Sequence, residues 1–446
     1  MTSDPMPCRR KILTWAGVGV LGAGAATAGV IGIMERIATP ATPTDTGASV
    51  TDGFLTASRL HTLAMTLPES DLTAMVTAYT ASGEKKWLTA VVTLDGTTYS
   101  NVGIRLKGNS SLMRLLGGKS GQGQGGGATT GNAAPQNLPW LVKLDKYAKG
   151  QNHDGLHELV VRSSTTSSAL NEAVALDLLG AAGLESQKAA YLRFSVNSSS
   201  QVLRLAVENP AEDWAARVFG AAGTLYKADA TGDYTYRGTD SASYATAWGI
   251  ESGTDDWKPL MTFLDFVNNS SDADFTSGLA TRLDTAKFAT YLAFESLIDN
   301  VDDIDGPGNN SMLWWSQSKS SMTVLGWDHN LAFGTTNGGM GGQGQMQQPG
   351  QGQQGQQRPG GMPTGMPQGG LPQGGMSGKA NALVTRFTTA YSADIAAAKT
   401  SLTQSLVTSG KGKASLATWT ALVTASGLVA ADTVTSEGAA ITHYLG

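Results

Sequence analysis

The chain has almost no cysteine, few histidines and no surplus of positive charge, and each shortage removes a class of function. Cys8 is the only cysteine in 446 residues, so disulfide scaffolding and thiol chemistry are excluded beyond the extreme N-terminus. The five histidines are scattered and form no HExxH pair, which disfavours a zinc hydrolase. No G-x-S-x-G elbow occurs, so the commonest serine-hydrolase signal is missing. Charged residues make up only 15% of the chain and the net charge is -5. No general attraction to nucleic acid or to an anionic membrane surface is expected from that balance.

What is present is apolar bulk. Hydrophobic residues are 41% of the chain, enough for a large core in one bilobal domain or two compact ones. Arg9, Arg10 and Lys11 precede an apolar run from Ile12 to Met34, closed by Glu35 and Arg36. A run of roughly 20 apolar residues crosses a bilayer as a helix, and the basic flank stays in the cytoplasm. Residues 1–36 therefore read as a membrane anchor or a twin-arginine-like export signal, with cleavage undecided. The rest of the chain is expected outside the cytoplasm, tethered by that helix or secreted. Residues 37–66, rich in Pro, Thr and Ala at their start, read as a tether.

From Leu67 to Gly446 the pattern is that of a folded domain. Leu72 to Ala81 has helical spacing, and Trp87–Leu94 and Thr98–Leu106 are strand-like runs around Asp95-Gly96, a tight-hairpin dipeptide. Leu138–Leu144, Ala190–Val196 and Val202–Glu208 also read as strands, and Ala169–Leu179 as a helix. Trp257–Val267, Ala286–Asp299 and segments after Asn381 read as helices, with strands at Ser311–Trp315 and Met322–Trp327. Strands first and helices later predict an α+β plan, with a β-rich front lobe and a helical back lobe. Residues 117–131 are low-complexity and glycine-rich, and residues 337–376 are built largely of Gly, Gln, Met and Pro. They bury too little apolar area to offset chain entropy and are expected as disordered inserts.

The chemistry-bearing residues cluster late in the chain. Asn300-Val301-Asp302 is followed by Asp303, Asp305, Asn309 and Asn310, and then by Trp327-Asp328-His329-Asn330. Carboxylates and amides on turns are hard oxygen ligands of the kind Mg²⁺ or Mn²⁺ takes. Ile104 to Ser111 sets Arg105 and Lys107 beside a small-residue turn whose amides suit phosphate. Lys143 lies in a strand and Glu172 in the next helix, a spacing that allows the lysine–glutamate pair used in phosphoryl transfer. Trp314, Trp315 and Trp327 read as core aromatics.

In order along the chain, these strings resemble the spore coat protein H (CotH) kinase family. Val102 to Ser111 is similar to its VGIRxKGNSS string, Leu141 to Asp145 to its lysine strand, and Leu170 to Asp177 to its following helix. Val207-Glu208, Gly223 to Lys227, Asn300 to Asp302, Asn310 and Trp327 to Gly334 complete the series. The resemblance implies an atypical protein-kinase-like bilobal fold that transfers the γ-phosphate of ATP, with Mg²⁺ or Mn²⁺, to Ser or Thr of a protein substrate. It implies Asp302 as the catalytic carboxylate, and Asp328 with Asn310 as metal ligands. Lys143, positioned by Glu172, would hold phosphates, Arg105 and Lys107 would cover them, and Glu208 would lie on the adenine side. Two departures stand out: Asn197 to Ser200 replaces an Asn-Gly turn, and Asn330 stands where many members have a second Asp. The alternative is a catalytically silent cell-envelope binding or assembly protein that keeps the fold.

Overall fold

In the computed structural model the described residues are 53–116, 133–220, 222–229, 232–305, 310–335 and 381–446. The N-terminal segment 1–36, most of the expected tether and both expected inserts lie outside them. Val50 to Gly446 forms one compact unit. Among the described residues no helix is long and apolar enough to cross a membrane.

The first half builds a closed seven-stranded barrel, ordered β1-β2-β3-β4-β5-β7-β6. Its strands are β1 (His61–Thr66), β2 (Leu88–Leu94), β3 (Thr97–Leu106), β4 (Trp140–Lys143), β5 (Glu158–Val161), β6 (Ala189–Val196) and β7 (Val202–Glu208). Helices α1 (Glu69–Ser82), α2 (Ser110–Leu116) and α3 (Leu170–Ala181) interrupt them. The mixed α+β class and the β-rich front half are as expected, and the front sheet closes into a barrel. Closure depends on β1, which pairs antiparallel with β2 and parallel with β6. Residues 61–66 were expected in the tether. They carry the period-2 alternation of a half-buried strand, with Leu63 and Met65 fully buried.

Alternation also explains how one barrel serves two cores. Trp140, Val142, Leu159 and Val161 point inward, with Leu63, Val92 and Ile104. Leu141 and Val160, on the other faces of the same strands, pack instead against α3 and the later helices. Asp95 and Gly96 both adopt positive φ (46° and 85°) at the β2–β3 turn, the backbone a two-residue hairpin of matching twist requires.

After β7 the chain forms α4 (Glu212–Phe219), β8 (Gly223–Ala228), α5 (Ser241–Tyr244), β9 (Trp248–Gly253), α6 (Lys258–Asn269), α7 (Asp272–Gly278), α8 (Thr285–Leu297), β10 (Ser311–Ser316) and β11 (Ser321–Gly326). Four of these strands make a second sheet, β11-β10-β8-β9. Helices α9 (Ala382–Ala390), α10 (Ser392–Leu402), α11 (Lys411–Ser426) and α12 (Ala431–Tyr444) finish the fold, with a π-helical turn, Thr403–Thr408, between α10 and α11. The second sheet positions the candidate site by register. Ser311 pairs with Gly326, and Met312 with both Leu325 and Lys227. Asn310, Lys227 and Asp328 therefore emerge at one end of that sheet.

Candidate active site

Asp302 follows the C-terminal end of α8, and Asp328 follows β11. They are close enough that, after burial, the charge of Asp328 is the main cause of the raised Asp302 carboxyl. Asn310 joins them by donating its side-chain amide to the Asp302 carbonyl, 2.9 Å away. Two carboxylates and an amide thus meet in one place from two separate stretches of chain.

The turn that presents Asp328 is held by buried bonds. Asp328 itself has φ 65° and ψ 59°, a left-handed conformation that a non-glycine residue adopts at a cost, which surrounding contacts must outweigh. Glu295, on α8, supplies them. One of its oxygens accepts from Asn300 Nδ2 and the other lies 2.9 Å from His329 Nε2. Burial works against a charged His329, but Glu295 outweighs it and raises the imidazole pKa. One buried carboxylate therefore ties the Asp302 loop to the Asp328 turn. Backbone bonds from Phe333 to Ile298 (2.6 Å) and from Gly334 to Asp299 (3.2 Å) fasten the same two segments. Helix α12 braces them from outside: Tyr444 donates to Asp299 at 2.9 Å, and Glu437 accepts from the Ser167 and Ser168 amides just before α3. A Cβ on Gly334 would meet the Tyr444 hydroxyl at 2.3 Å, and its φ is +63°, so this position needs glycine.

Arg162, which follows β5, is the residue the sequence reading missed. Its Nε lies 2.8 Å from Glu172, and its guanidinium also contacts Asp328. Burial opposes its charge, but Asp328 and Glu172 together raise its pKa. The expected Lys143–Glu172 pair does not form. Lys143 instead bonds Glu158 (3.1 Å) and Asp145 (3.5 Å). The cause is register: Lys143 pairs with Glu158 across β4–β5, whereas Arg162 is four residues further, ~13 Å along an extended strand. The available signal was an arginine directly after the apolar run Leu159 to Val161.

Lys143 still matters at second hand. Glu158, which it holds, accepts from Asn209 Nδ2 at 2.8 Å, and Asn209 Oδ1 accepts from Lys107 Nζ at 2.8 Å. Glu208 is spoken for elsewhere: it accepts from Arg217 Nε (2.8 Å) and from the Lys188 amide (2.7 Å). The neighbouring Asn209, not Glu208, reaches the site.

Lys107 belongs to a cluster of like charges. Burial, then the charge of Lys227, lowers it to about 8. Burial, then Arg105 and Lys227, lowers Lys85 to about 8, and burial lowers Arg105 as well. Lys85 also donates to Asn109 at 2.6 Å, at the turn where Gly108 has φ +105°. Trp327 joins this cluster to the acids. Its ring centroid lies 5.1 Å from Lys227 Nζ, 5.7 Å from Arg162 Cζ and 6.0 Å from Lys107 Nζ. The ring is buried among Trp214, Leu225 and Trp314, so it is a core aromatic that also faces three cations.

The site is therefore acidic at one end and cationic at the other. Lysines held this close and partly desolvated lose protons more readily unless an anion joins them. At the acidic end, burial first and then the charge of Asp328 raise Asp302, and Arg162 already lies against Asp328. No group of three His, Cys, Asp or Glu able to hold a metal occurs among the described residues. Asp328 and the Asn310 amide fit Mg²⁺ or Mn²⁺ only as a partial shell, completed by phosphates and water, which is how Mg²⁺ is usually held.

The described residues thus join a barrel, a second sheet and helices to an acidic cluster set against a cationic one. The sequence profile of the CotH kinase protein family matches residues 104–362, more than half of the chain, and the chain belongs to that family. No curated protein matches it. Among solved structures it is similar to a Helicobacter pylori proinflammatory kinase, CtkA, with 11% identity and a TM-score of 0.22. That match covers 43% of this chain and 55% of the other, a likeness too faint to bear on the site.

Proposed function

We propose that this protein is an extracytoplasmic, ATP-dependent protein Ser/Thr kinase acting on envelope or partner proteins, anchored by its N-terminal segment or released by cleavage. The observation that carries the reading is the opposition of Asp302 and Asp328 to Lys107 and Lys227, which share the Trp327 ring with the Arg162 that contacts Asp328. Lys107 and Lys227 meet the phosphate oxygens, with Arg105 and Lys85 behind them. The nucleotide lies between the barrel and the second sheet, as between the two lobes of a kinase. Asp328 and Asn310 would hold Mg²⁺ or Mn²⁺, which neutralises charge on the β- and γ-phosphates.

Asp302 accepts the proton of the substrate hydroxyl as its oxygen bonds to the γ-phosphorus. The bond from phosphorus to the β,γ-bridging oxygen breaks, and ADP leaves. A carboxyl raised by burial and by Asp328 is a better base near neutral pH than an ordinary aspartate.

One observation favours a second reading, an envelope binding or assembly protein without turnover. Arg162 already contacts Asp328, so a cation stands on the carboxylate meant for the metal. Incubation with labelled ATP, Mg²⁺ or Mn²⁺ and envelope extract separates the two. Label transfer should fall at least about 100-fold in Asp302→Ala, the usual weight of a proton-transfer group, and comparably in Asp328→Ala. Transfer that survives both changes, or that never occurs while nucleotide-independent partner binding does, overturns the kinase reading.

A further inference from the structure

A polar cavity of about 400 Å³ lies behind the site, walled by Arg162, Ser164, Thr166 and Ser167 of the loop before α3, Arg204 of β7, and Ala430 and Thr433 at the start of α12. Arg204 is its unusual member. One of its terminal nitrogens donates to the carbonyls of Asn137 and Leu138, each at 3.0 Å, and its buried Nε has no partner among the described residues. No carboxylate pairs with it there. Burial alone, with no neighbouring acid to oppose it, lowers its pKa to about 10.

Arg204 as a whole is half-buried, but a guanidinium nitrogen shut off from water without a partner is costly. The rest of the wall is mixed, apolar at Val202, Leu203, Leu205, Leu428 and Val429 and polar on the side of the loop before α3. Ser164, Thr166 and Ser167 carry hydroxyls. The nearby carboxylate Glu437 is engaged by the Ser167 and Ser168 amides. Helix α12 follows Ala430, which makes no side-chain cap bond, and carries Asp432 in its first turn, so its dipole already has an acidic partner. The volume takes a phosphate with several waters, each of about 30 Å³.

We propose that this cavity is a binding site for a small oxyanion of the phosphate class, held by the Arg204 guanidinium and the Ser164 and Ser167 hydroxyls. The proposal is independent of the kinase reading, because it concerns inorganic phosphate at a place separate from the Lys107 cluster. Arg162 walls this cavity and also contacts Asp328, so occupancy bears on the site through one side chain.

The test uses the full chain and inorganic phosphate, with chloride at matched ionic strength as control. Thermal unfolding is followed in the Lys107→Met background, which weakens phosphate binding at the cationic cluster. Saturating phosphate should raise the midpoint by roughly 2–5 °C, and adding Arg204→Gln should remove that rise. Thr433→Asp puts a carboxylate in the wall at a favourable helix position. It should raise the phosphate-free midpoint and abolish the phosphate response. If Arg204→Gln fails to fold, the Thr433→Asp result decides alone. An absent response in the parent protein, or an undiminished one in either variant, overturns the proposal.

Discussion

The interior of the barrel and the cleft around Trp327 are built by opposite rules. Inside the barrel, alternate residues of all seven strands meet as an apolar core, with Leu63, Val92, Ile104, Trp140 and Val161 fully buried. There the strands' hydrogen bonds close on themselves and few charges need partners. The cleft gathers half-buried lysines of one sign, two carboxylates, and Asp299, Asp328 and Phe333 in left-handed conformations. Its order comes from particular pairs: Arg162 with Glu172, Glu295 with Asn300 and His329, Glu437 with the loop before α3. The barrel tolerates exchange of one apolar group for another of similar volume. The cleft does not, because each pair leaves a buried charge when broken.

The sharpest way to break the contrast is at Arg162. Arg162→Ala leaves Glu172, whose side chain is 3% exposed, and Asp328 without their cation. Stability should fall by about 3–5 kcal/mol, the usual result of breaking a buried pair on one side, and urea denaturation measures it. A loss below about 1 kcal/mol, typical of a surface pair, would show that the cleft is not held this way.

Leu63→Ala tests the barrel. A buried leucine truncated in a packed core should cost about 2–5 kcal/mol, while nucleotide binding by the folded protein stays unchanged. Were residues 61–66 only a tether, the change would be silent. The outcome also decides whether β1 closes the barrel, since the same substitution in an open sheet edge would cost less.

Lys107 and Lys143 divide the two regions along one bond network. Lys107→Met should raise the half-saturating nucleotide concentration about tenfold, since a charged hydrogen bond is worth about 1.5–3 kcal/mol. Lys143→Met removes only the support of Glu158 and Asn209, and should raise it less than about threefold on the same scale. Equal effects, or a larger one for Lys143, would restore the lysine–glutamate arrangement that register excludes.

Much of this was legible in the residues themselves. The Asp95-Gly96 hairpin, the β6 and β7 strands, helix α3 and the β10–β11 pair all carry local patterns that tertiary context does not override. The Asn197 turn was legible only in part. Asn197 takes φ 52° where glycine would be usual, and its side chain accepts from Leu67 N and donates to Glu69, which fixes the turn without glycine. At the candidate site, Asp302, Asn310 and Asp328 could be read because each lies in a short polar string after an apolar element. Arg162 and Lys227 could not be assigned from periodicity, because their roles depend on which strand end faces which. The Lys143–Glu172 expectation failed for the same reason: spacing along a chain gives no register across a sheet. Asn330, which stands where many family members have a second Asp, has its carbonyl held by Asn171 (2.6 Å) and Thr165 (3.0 Å), a backbone role that the side-chain identity does not reveal.

The smallest expected effect sits in the barrel, where the contrast is least clean. His61 and His153 are buried at its end, with Phe54 packed on both rings at centroid distances of 4.2 and 5.2 Å. Burial lowers both pKa values, against the pull of Asp95 on His61 and of Asp154 on His153, while Arg59 works with burial. The unfolded chain therefore takes up protons near pH 6.5 that the folded barrel refuses. Stability from these groups is fully present above pH 6.5 and declines as pH falls through the lower folded values. Asp95, itself lowered although burial opposes it, by the Thr62 amide and His61, keeps its contribution until pH falls below 3.8, so the two declines separate. Urea midpoints at pH 8 and pH 5 should differ in the parent protein and converge in the His61→Asn, His153→Gln double variant. Convergence without loss of phosphoryl transfer would assign the acid sensitivity to the barrel, and an unchanged midpoint difference would move it to the cleft.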